Sequence, residues 1–277
     1  MILVTGGNGF IGYNLIKRLV AEGNQVTSID NLSTGNLLQQ VDGCRYILED
    51  INNIHLIEGE FNMCFHLAAL SRVQPSFENP TETFNSNVTG TQRVLEYCRK
   101  NDIEVIYAGS SSKHHKYTES PYATTKYLGE QLCRMYSDTF KMKINIARFY
   151  NVYGEGEIVD HDFAAVVGVF RRQKRDGKPL TIVGDGNQTR DFTYVGDIVD
   201  GLIKISKTDH QHTDAWELGS GHKYSIKELA SWFKTDITYM PDQKGNYRYS
   251  LRVNNDAVNM LRWQPGDRLK QYISNLI

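Results

Sequence analysis

The chain has 277 residues, of which 40% are hydrophobic and 23% are charged, and its formal net charge is −1. This length allows one large α/β domain with a smaller attachment, and the composition is ordinary for a folded globular protein. A net charge so close to zero gives no electrostatic argument for a nucleic acid or a membrane surface as partner. No run approaches the roughly 20 apolar residues that a membrane span needs.

Met1 stands at the start of an apolar strand pattern, which leaves no room for a signal sequence, so we expect a cytoplasmic protein. The pairs His114-His115 and His210/His212 have no cysteine or carboxylate at ligand spacing, so we expect no metal site. The cysteines are too scattered for a metal or redox motif, and we expect reduced, mostly buried thiols. They are Cys44, Cys64, Cys98 and Cys133.

The chain opens with a strand, a glycine turn and a helix. Residues 1–5 form a short apolar run of the kind that makes a buried parallel strand. Gly6, Gly9 and Gly12 follow, and apolar residues then recur at helical spacing as far as Gly23. Such glycines permit a tight turn, close approach of the backbone to a pyrophosphate, and close packing of helix on strand. Because the helix N-terminus also offers free N–H groups to phosphates, the pattern predicts a dinucleotide site.

A second predicted strand, over 25–30, ends in Asp30. The position after the second strand is where a carboxylate can bind the diol of a ribose. A carboxylate there repels a 2′-phosphate, and no arginine follows within residues 31–33. The sequence therefore favours NAD over NADP.

Strand-like and helix-like patterns alternate through the first half of the chain. Such alternation predicts an α/β fold with a doubly wound parallel sheet of the Rossmann type. Besides the first two strands, the predicted strands cover 44–48, 62–66, 103–108 and 143–149, and the predicted helices cover 10–22, 52–58, 80–100 and 119–140.

Two segments leave the carboxyl ends of later strands, where this architecture binds its ligand. Asp50, after the third strand, can accept a hydrogen bond from an adenine amino group. Ala68 and Ala69, after the fourth strand, are small enough to let the backbone approach a dinucleotide. A helix-capping aspartate and a packed alanine pair are the commoner explanations of each feature alone. Their shared position at the ligand-binding edge favours the binding interpretation.

The fifth predicted strand ends in Ser110-Ser111-Ser112, which brings hydroxyl groups to the same edge of the sheet. Pro121 then opens a helix that carries Tyr122 and Lys126 four residues apart, so both side chains project from one face. A nearby ammonium favours the phenolate and is expected to lower the pKa of Tyr122, which makes it a general base near neutral pH. A surface pair is the alternative, but the serines and the glycine turn favour catalysis.

A series of further motifs accompanies these features along nearly the whole chain. They are Gly6-x-x-Gly9-x-x-Gly12, residues 30–35, 50–51, 66–69, 87–91 and 110–112, Tyr122-x-x-x-Lys126, and residues 148–154 and 184–192. In this order they resemble the extended short-chain dehydrogenase/reductase family, specifically the NAD-dependent nucleotide-sugar epimerases and dehydratases related to UDP-glucose 4-epimerase.

The resemblance implies a tightly held NAD, with Asn87, Tyr122 and Lys126 toward the nicotinamide ribose. It implies that Tyr122 takes the proton from a sugar hydroxyl while the carbon beneath passes hydride to the nicotinamide, and that Lys126 binds the ribose and keeps Tyr122 ionised. The cofactor-binding residues it predicts are Gly6, Gly9, Phe10, Ile11, Gly12, Asp30, Asn31, Ser33, Thr34, Gly35, Asp50, Ile51, Leu67, Ala68, Ala69, Asn87, Tyr122, Lys126 and Tyr150.

A serine is expected to steady the reacting hydroxyl, and the alignment leaves more than one candidate. Relatives usually continue from the serines into Val-Tyr-Gly or Thr-Tyr-Gly, whereas this chain has Lys113-His114-His115. Aligning on the missing Tyr-Gly favours Ser110, with Ser111 next, and counting by the serine triplet favours Ser112. We predict Ser110 and Ser111 as catalytic. The substitution also makes the two histidines candidates for contact with substrate.

The resemblance also implies how a nucleotide sugar is held. Asn151 is expected to bind the nucleotide diphosphate, and Arg190 to pair with it, although an ion pair with Asp191 is an alternative for that arginine. A second arginine that relatives often carry is replaced by Gln243, with Lys244 or Arg248 as possible substitutes. The predicted substrate-binding residues are Ser71, Arg72, Ser111, Ser112, Asn151, Arg190 and Gln243.

We expect residues 1–151 to form the NAD-binding Rossmann domain and residues 152–277 to form a smaller α+β substrate-binding cap. Residues 194–218 are expected to pack back on the NAD-binding domain, so that the two parts interleave. By analogy with the family we expect a homodimer that pairs the helices at about 85–100 and 122–138 of each subunit.

The predicted function is NAD-dependent epimerisation of a nucleotide sugar, at C4 of a UDP-sugar, through a transient 4-keto intermediate. A 4,6-dehydratase needs an acidic pair after the catalytic hydroxyl, and Ser111-Ser112-Lys113 contains no acid. A keto-sugar reductase needs exchangeable NADP(H), against which Asp30 argues. A catalytically inactive protein that binds NAD or a nucleotide sugar is the remaining alternative, but intact Tyr122 and Lys126 disfavour it.

Overall fold

The computed structural model describes residues 1–36 and 39–276. Its strands are β1 Ile2–Thr5, β2 Val26–Asp30, β3 Cys44–Leu48, β4 Met63–His66, β5 Glu104–Ser110, β6 Ile144–Phe149, β7 Asn151–Tyr153, β8 Leu180–Val183, β9 Thr189–Tyr194, β10 Trp216–Leu218, β11 Lys223–Ser225 and β12 Ile237–Met240. Its α-helices are α1 Phe10–Ala21, α2 Val73–Glu78, α3 Pro80–Phe84, α4 Thr91–Lys100, α5 Pro121–Phe140, α6 Val166–Arg175, α7 Val195–Ser206, α8 Ile226–Trp232, α9 Asp256–Leu261 and α10 Leu269–Leu276.

Seven strands form one parallel sheet in the order β10-β6-β5-β4-β1-β2-β3. The chain passes from β1 to β2 on one side and later returns to β4 on the other, so the strand order reverses at β1. In such sheets the ligand binds beyond the carboxyl ends of the strands at this reversal. The predicted doubly wound sheet is confirmed, and all six strands predicted in the first half are present with bounds that agree within two residues.

Helices cover both faces of this sheet, which explains why its strands are apolar without strict alternation. On one face, α4 and α5 bury Val94, Leu95 and Cys133 against the strands. On the other face, α1 and α7 pack together and bury Leu15 and Leu202. The amphipathic segment that begins at Tyr194 therefore lies on the large sheet, and β10 adds a strand beside β6.

The remaining elements form a smaller layer over the carboxyl edge of the large sheet. A three-stranded sheet has the order β11-β9-β7, and β12 pairs with β8 in a two-stranded sheet. Helices α6, α8 and α10 enclose a separate core with these strands, around Phe170, Ile182 and Phe233.

Two predicted helices differ from the observed ones. The segment predicted over 52–58 is a 3₁₀ helix, Ile51–Leu56, because the Asp50 side chain caps the Asn52 amide and a short turn fills the crossover. The segment predicted over 80–100 is helical throughout but contains a π-helical turn, Asn85–Gly90, between α3 and α4. Cys64, Cys98 and Cys133 are buried free thiols, as expected. Within residues 1–36 and 39–276, no helix has the length and apolar character that crossing a bilayer requires.

Candidate active site

A cavity of about 540 Å³ opens where the strand order reverses, between the large sheet and the smaller layer. Its wall combines the glycine turn, the ends of β4 and β5, the start of α5 and residues of the smaller layer. The predicted site residues in this wall are Gly6, Gly9, Phe10, Ile11, Gly12, Asp30, Asn31, Ser33, Thr34, Asp50, Ile51, Leu67, Ala68, Ala69, Ser71, Arg72, Ser110, Ser111, Tyr122, Lys126, Tyr150, Asn151, Arg190 and Gln243.

Three predicted site residues lie outside the described wall of the cavity. The side chain of Asn87 is buried, accepts from the Leu70 amide, and donates to the Leu70 carbonyl and to Thr125 Oγ1, so it fixes the loop after β4. Gly35 packs beside Asp30, and a Cβ there would lie 3.1 Å from the Asp30 Oδ1. Ser112 is turned toward Ser110. The structure thus places these three residues where they support residues of the wall.

The glycine turn requires glycine at two positions. Gly6 has φ +73°, and a Cβ there would lie 2.7 Å from the Ala68 amide nitrogen. A Cβ at Gly12 would lie 2.1 Å from the Gly6 carbonyl oxygen, which explains the close packing of α1 on the turn. Gly9 is different, because its added Cβ would meet only that same oxygen, at 3.2 Å, and otherwise faces open space. The open face of Gly9 fits close approach of a pyrophosphate to the backbone.

His66 ties the loop after β4 to the glycine turn. Its Nδ1 lies 2.7 Å from Thr5 Oγ1, and its Nε2 lies 3.0 Å from Thr91 Oγ1. Burial, with the nearby Lys126 ammonium, lowers the pKa of His66 to about 3, so the ring is neutral. Thr5 Oγ1 also accepts from the Ala68 amide, and these bonds hold that loop against Gly6.

Two carboxylates occupy the edge where an adenosine is expected. Asp30 accepts from the Asn8 amide at 3.0 Å and from the Leu32 amide at 2.8 Å, which fixes it between the glycine turn and the loop after β2. Burial raises the pKa of Asp30, although these two amides oppose the shift. Asp50 caps the following 3₁₀ helix and also accepts from Asn31 Nδ2 at 2.7 Å. Asp50 is therefore a helix-capping aspartate, which is the commoner explanation of such a residue, and it also lines the cavity.

The general base predicted from sequence lies beside the predicted serine. Tyr122 is the second residue of α5, a helix that starts with Pro121 and is capped by Ser120 Oγ, which accepts from the Ala123 amide at 3.1 Å. The Tyr122 hydroxyl donates to Ser110 Oγ at 3.2 Å. Ser110 Oγ also accepts from Ser112 Oγ at 2.9 Å. The contact with Tyr122 favours Ser110 among the three serines.

The expected effect of Lys126 on Tyr122 is wrong for the ligand-free protein. Burial raises the pKa of Tyr122, and the contributions that lower it come from the Ser110 hydrogen bond and from the Arg72 guanidinium. Lys126 Nζ instead donates to the Ala108 carbonyl at 2.6 Å and lies 4.5 Å from the centre of the Tyr107 ring. The two side chains share a helix face as predicted, but the ammonium is directed toward β5.

The ammonium itself is strongly affected by its surroundings. Burial lowers the pKa of Lys126 from 10.5 to about 8, although the carboxylate of Glu130 one turn later opposes the shift. A buried amine that lines the cavity is suited to hold a ribose hydroxyl group, because a polar ligand group replaces part of the lost solvation.

A ring stack that the sequence did not reveal lies beside the cavity. The Tyr247 ring stacks on His115, whose ring centre is 3.9 Å away, and the guanidinium of Arg190 lies 4.4 Å from the Tyr247 ring centre. Arg190 also donates to Asn246 Oδ1 at 2.8 Å. The alternative ion pair of Arg190 with Asp191 is absent among the described residues. The cationic side chain in the wall thus remains available to an anionic ligand.

Asp191 has a structural function in the same strand. Its carboxylate accepts from the amides of Ser220, Gly221 and Arg252, and it therefore holds the loop after β10. Asn151, from β7, donates to the Asp191 carbonyl at 3.3 Å.

The unusual Lys113-His114-His115 segment contacts a buried charge cluster behind the serines. Lys113 Nζ lies 2.7 Å from Asp214, and His114 Nε2 lies 2.9 Å from Glu217. The expectation that His114 contacts substrate is therefore wrong for this conformation. Tyr150 also donates to Glu217, at 2.7 Å, while it lines the cavity. Arg148 contacts Glu130, Asp214 and Glu217 and lies at the centre of this group. We call these side chains together the Arg148 cluster.

Lys244 and Arg248, the proposed substitutes for the missing arginine, are not in the described wall of the cavity. Arg248 is exposed and paired with Asp185 at 2.8 Å. Gln243 itself lines the cavity together with Gly245, Asn246 and Tyr247. The described residues contain no group of three or more His, Cys, Asp or Glu side chains placed to hold a metal ion.

Comparison with known proteins gives relatives that match almost the full length of the chain. A putative UDP-glucose 4-epimerase of Methanocaldococcus jannaschii is 31% identical, with 100% of this chain and 97% of the relative covered. UDP-glucuronic acid decarboxylase 1 of Arabidopsis thaliana is 28% identical, with 100% and 68% covered. The crystal structure of a Thermotoga maritima UDP-glucose 4-epimerase with UDP-glucose superposes with a TM-score of 0.90 at 26% identity, covering 99% of this chain and 96% of that one.

The sequence model of the NAD dependent epimerase/dehydratase family matches residues 2–219, which includes the glycine turn, the serines and the Tyr122/Lys126 pair. NAD is the cofactor of this family, and the open cradle at Gly9 fits its pyrophosphate. On the length of this match and the identity of its relatives, the chain belongs to the NAD dependent epimerase/dehydratase family.

Proposed function

We propose that the protein is an NAD-dependent isomerase that interconverts nucleotide-sugar stereoisomers at C4 of a UDP-sugar. The observation that carries the proposal is the hydrogen bond from the Tyr122 hydroxyl to Ser110 Oγ, inside a cavity that also contains the glycine turn. NAD, when bound, supplies reversible hydride transfer at the reacting carbon. The glycine turn, Asp30 and Lys126 would hold this cofactor.

The residues of the chain then move protons and orient the sugar. Tyr122, once ionised, takes the proton of the C4 hydroxyl as general base and returns it as general acid. Ser110 Oγ lies within hydrogen-bond distance of the Tyr122 hydroxyl, the Ser112 hydroxyl and the Ser112 amide. Its own O–H would donate to the oxygen on C4 of a bound sugar. The positive charge of Arg72 favours the phenolate against the effect of burial.

Arg190 and the Tyr247 ring would bind the nucleotide part of the substrate. The guanidinium of Arg190 has hydrogen bonds only to the Thr189 carbonyl and to Asn246 among the described residues, and both acceptors are uncharged. A diphosphate would therefore gain a charge-assisted contact without breaking an existing ion pair. The stacking of Tyr247 on Arg190 holds the planar group in place.

The surroundings of Ser110 support epimerisation over dehydration. Its described side-chain partners are Ser112 and Tyr122, and no carboxylate is among them. Elimination of water needs an acid beside the sugar. Inversion at C4 needs a reversible proton transfer, hydride transfer to and from NAD, and room for the keto sugar to turn. The cavity volume of about 540 Å³ is within the range of small-molecule sites.

Incubation of the purified protein with UDP-, GDP- and dTDP-sugars, followed by NMR of the products, tests the proposal. We expect an equilibrium mixture of C4 epimers of a UDP-sugar without net consumption of NADH. Loss of water would show a dehydratase instead, and net oxidation of added NADPH would show a reductase. Absence of turnover with every sugar would favour a protein that only binds its ligands.

Tyr122→Phe tests the base directly. The variant should retain bound NAD, since the phenol ring stays in place, and should lose turnover. Tyr127→Phe, on the same helix, is the matched control and should keep its activity. A Tyr122→Phe protein with wild-type activity would contradict the assignment of the base.

A further inference from the structure

The cavity contains one more cationic side chain than the cofactor ribose and the nucleotide diphosphate would bind. Its cationic side chains, within residues 1–36 and 39–276, are Arg72, Lys126 and Arg190, and none of them forms an ion pair with a described carboxylate. Lys126 serves the cofactor ribose, and Arg190 serves the nucleotide diphosphate. Arg72 has no such partner.

The position of Arg72 is fixed by contacts with uncharged groups. Arg72 precedes α2 as its N-cap residue. Its Nε donates to the Phe163 carbonyl at 2.6 Å, and its Nη1 donates to the Ser71 carbonyl at 3.0 Å. These two bonds hold the guanidinium plane, but neither supplies a negative charge. The carboxylate of Glu157 acts on the charge of Arg72, but it accepts its hydrogen bonds from Arg171 and Tyr272. Among the described residues Arg72 therefore has no direct ion pair, which a ligand carboxylate would supply.

Arg72 lies at the reacting end of the cavity. Ser76, one turn further along α2, accepts a hydrogen bond from the Tyr122 amide at 3.1 Å, so the start of α2 faces the start of α5. Arg72 and Tyr122 also line the same cavity. The sugar, whose hydroxyl must reach Tyr122, is therefore the part of the substrate that Arg72 faces.

We propose that Arg72 binds a carboxylate on the sugar, so that the substrate class is a nucleotide-linked uronic acid. The inference rests on the proposed function, because it uses Tyr122 to locate the sugar. The planar guanidinium offers paired N–H donors that match a carboxylate, and this match is stronger than any bond to a neutral hydroxymethyl group. A neutral sugar would leave the Arg72 guanidinium without a direct ion pair.

The first test compares UDP-glucuronate with UDP-glucose as substrates of the NAD-loaded wild-type protein, Arg72→Gln and Arg72→Lys. We expect the wild-type kcat/KM to favour UDP-glucuronate by at least about 30-fold. Arg72→Gln should abolish this ratio mainly through KM, and Arg72→Lys should restore part of it. Arg45→Gln, which removes an exposed arginine outside the cavity, is the control and should keep the wild-type ratio.

Calorimetric titration of the NAD-loaded Tyr122→Phe variant with the same two nucleotide sugars separates this inference from the proposed reaction, because binding is read without turnover. Tighter binding of UDP-glucuronate, lost on adding Arg72→Gln, supports the inference even if no epimer forms. Equal binding of both sugars overturns it, as does an Arg72→Gln protein that binds both more weakly by the same factor. Product that has lost CO₂ would support the carboxylate contact and contradict the epimerase.

Discussion

The Tyr122 hydroxyl and the Ser112 hydroxyl both donate to one oxygen, Ser110 Oγ, at 3.2 and 2.9 Å. The Ser112 amide also donates to this oxygen, at 3.2 Å, so these contacts hold Ser110 beside Tyr122. We predict that Ser110→Ala lowers kcat by about 10²- to 10³-fold with NAD still bound, because the donor to the C4 oxygen is lost. Initial rates and the bound NAD content of the purified variant measure this.

Ser112→Ala is the matched comparison for that experiment. It removes one donor to Ser110 Oγ but leaves the Tyr122–Ser110 contact, so its effect on kcat should be clearly smaller. The opposite ranking of the two variants would show that Ser112 is the catalytic serine.

The low pKa of Lys126 predicts a pH dependence of stability. Since burial lowers this pKa from 10.5 to about 8, the unfolded chain binds more protons than the NAD-free folded protein between these two values. The free energy of unfolding therefore rises with pH through this window, and below it the full penalty of about 3 kcal/mol is present. Lys126→Met lacks this titration, so the stability of the variant relative to wild type should fall by up to about 3 kcal/mol between about pH 7 and about pH 10.

Urea unfolding of both NAD-free proteins at several pH values measures this difference. The lost hydrogen bond to the Ala108 carbonyl shifts the difference in the same direction at every pH, so only its change with pH is informative. A difference that stays constant across the window would show that Lys126 keeps an ordinary pKa. Turnover of Lys126→Met should be strongly reduced at every pH.

Asp30 is predicted to exclude NADP(H). Its carboxylate is fixed by the Asn8 and Leu32 amides, so it cannot turn away from a 2′-phosphate. Asp30→Ser keeps a hydrogen-bond acceptor but removes the charge, and the ratio of the Kd values for NADPH and NADH should fall at least about tenfold. Fluorescence titrations give both constants.

Asp50→Ser is the control for this experiment, because Asp50 caps the 3₁₀ helix after β3 and lies away from the ribose diol that Asp30 is expected to bind. It should weaken both nucleotides by a similar factor. A change in the ratio as large as that of Asp30→Ser would mean that selectivity does not depend on Asp30 alone.

Local sequence was sufficient to predict the six strands of the first half of the chain and the glycine turn. Buried parallel strands are continuous apolar runs, and the glycine positions are set by contacts within a few residues or by one neighbouring strand, such as the approach of Ala68 to Gly6. The spacing of Tyr122 and Lys126 likewise placed both side chains on one helix face. These features depend on short-range geometry, which residue order contains.

The charge environment could not be predicted from the same spacing. Burial of Tyr122 and the turn of Lys126 toward the Ala108 carbonyl depend on how α5 packs on β5. The Lys113-His114 segment gave no local signal, since its partners Asp214 and Glu217 lie about a hundred residues further along the chain. The stacking of His115 on Tyr247 likewise joins residues that are far apart in the sequence.

The Arg148 cluster predicts the largest loss of stability from a single change. Arg148 is fully buried and contacts the carboxylates of Glu130 at 2.7 Å, Asp214 at 2.6 Å and Glu217 at 2.9 Å. Arg148→Met would leave the buried Glu130 and Glu217 without their principal counter-charge, and breaking a buried ion pair from one side costs about 3–5 kcal/mol. Urea unfolding measures the loss.

The pH dependence of the same variant supplies a second reading of the Arg148 cluster. The hydrogen bond from Arg148, which outweighs desolvation, holds the pKa of Asp214 well below its usual value of 3.8. A carboxyl group with a depressed pKa stabilises the fold above its unfolded pKa and loses that contribution as the pH falls. Wild type should therefore lose stability on acidification below about pH 4 more steeply than Arg148→Met, in which the shift of the Asp214 pKa is smaller.

Arg175→Met, which removes an exposed partner of Asp160, is the control and should be as stable as wild type near neutral pH. If Arg148→Met were as stable as this control, the buried ion pairs would be contributing no net stability.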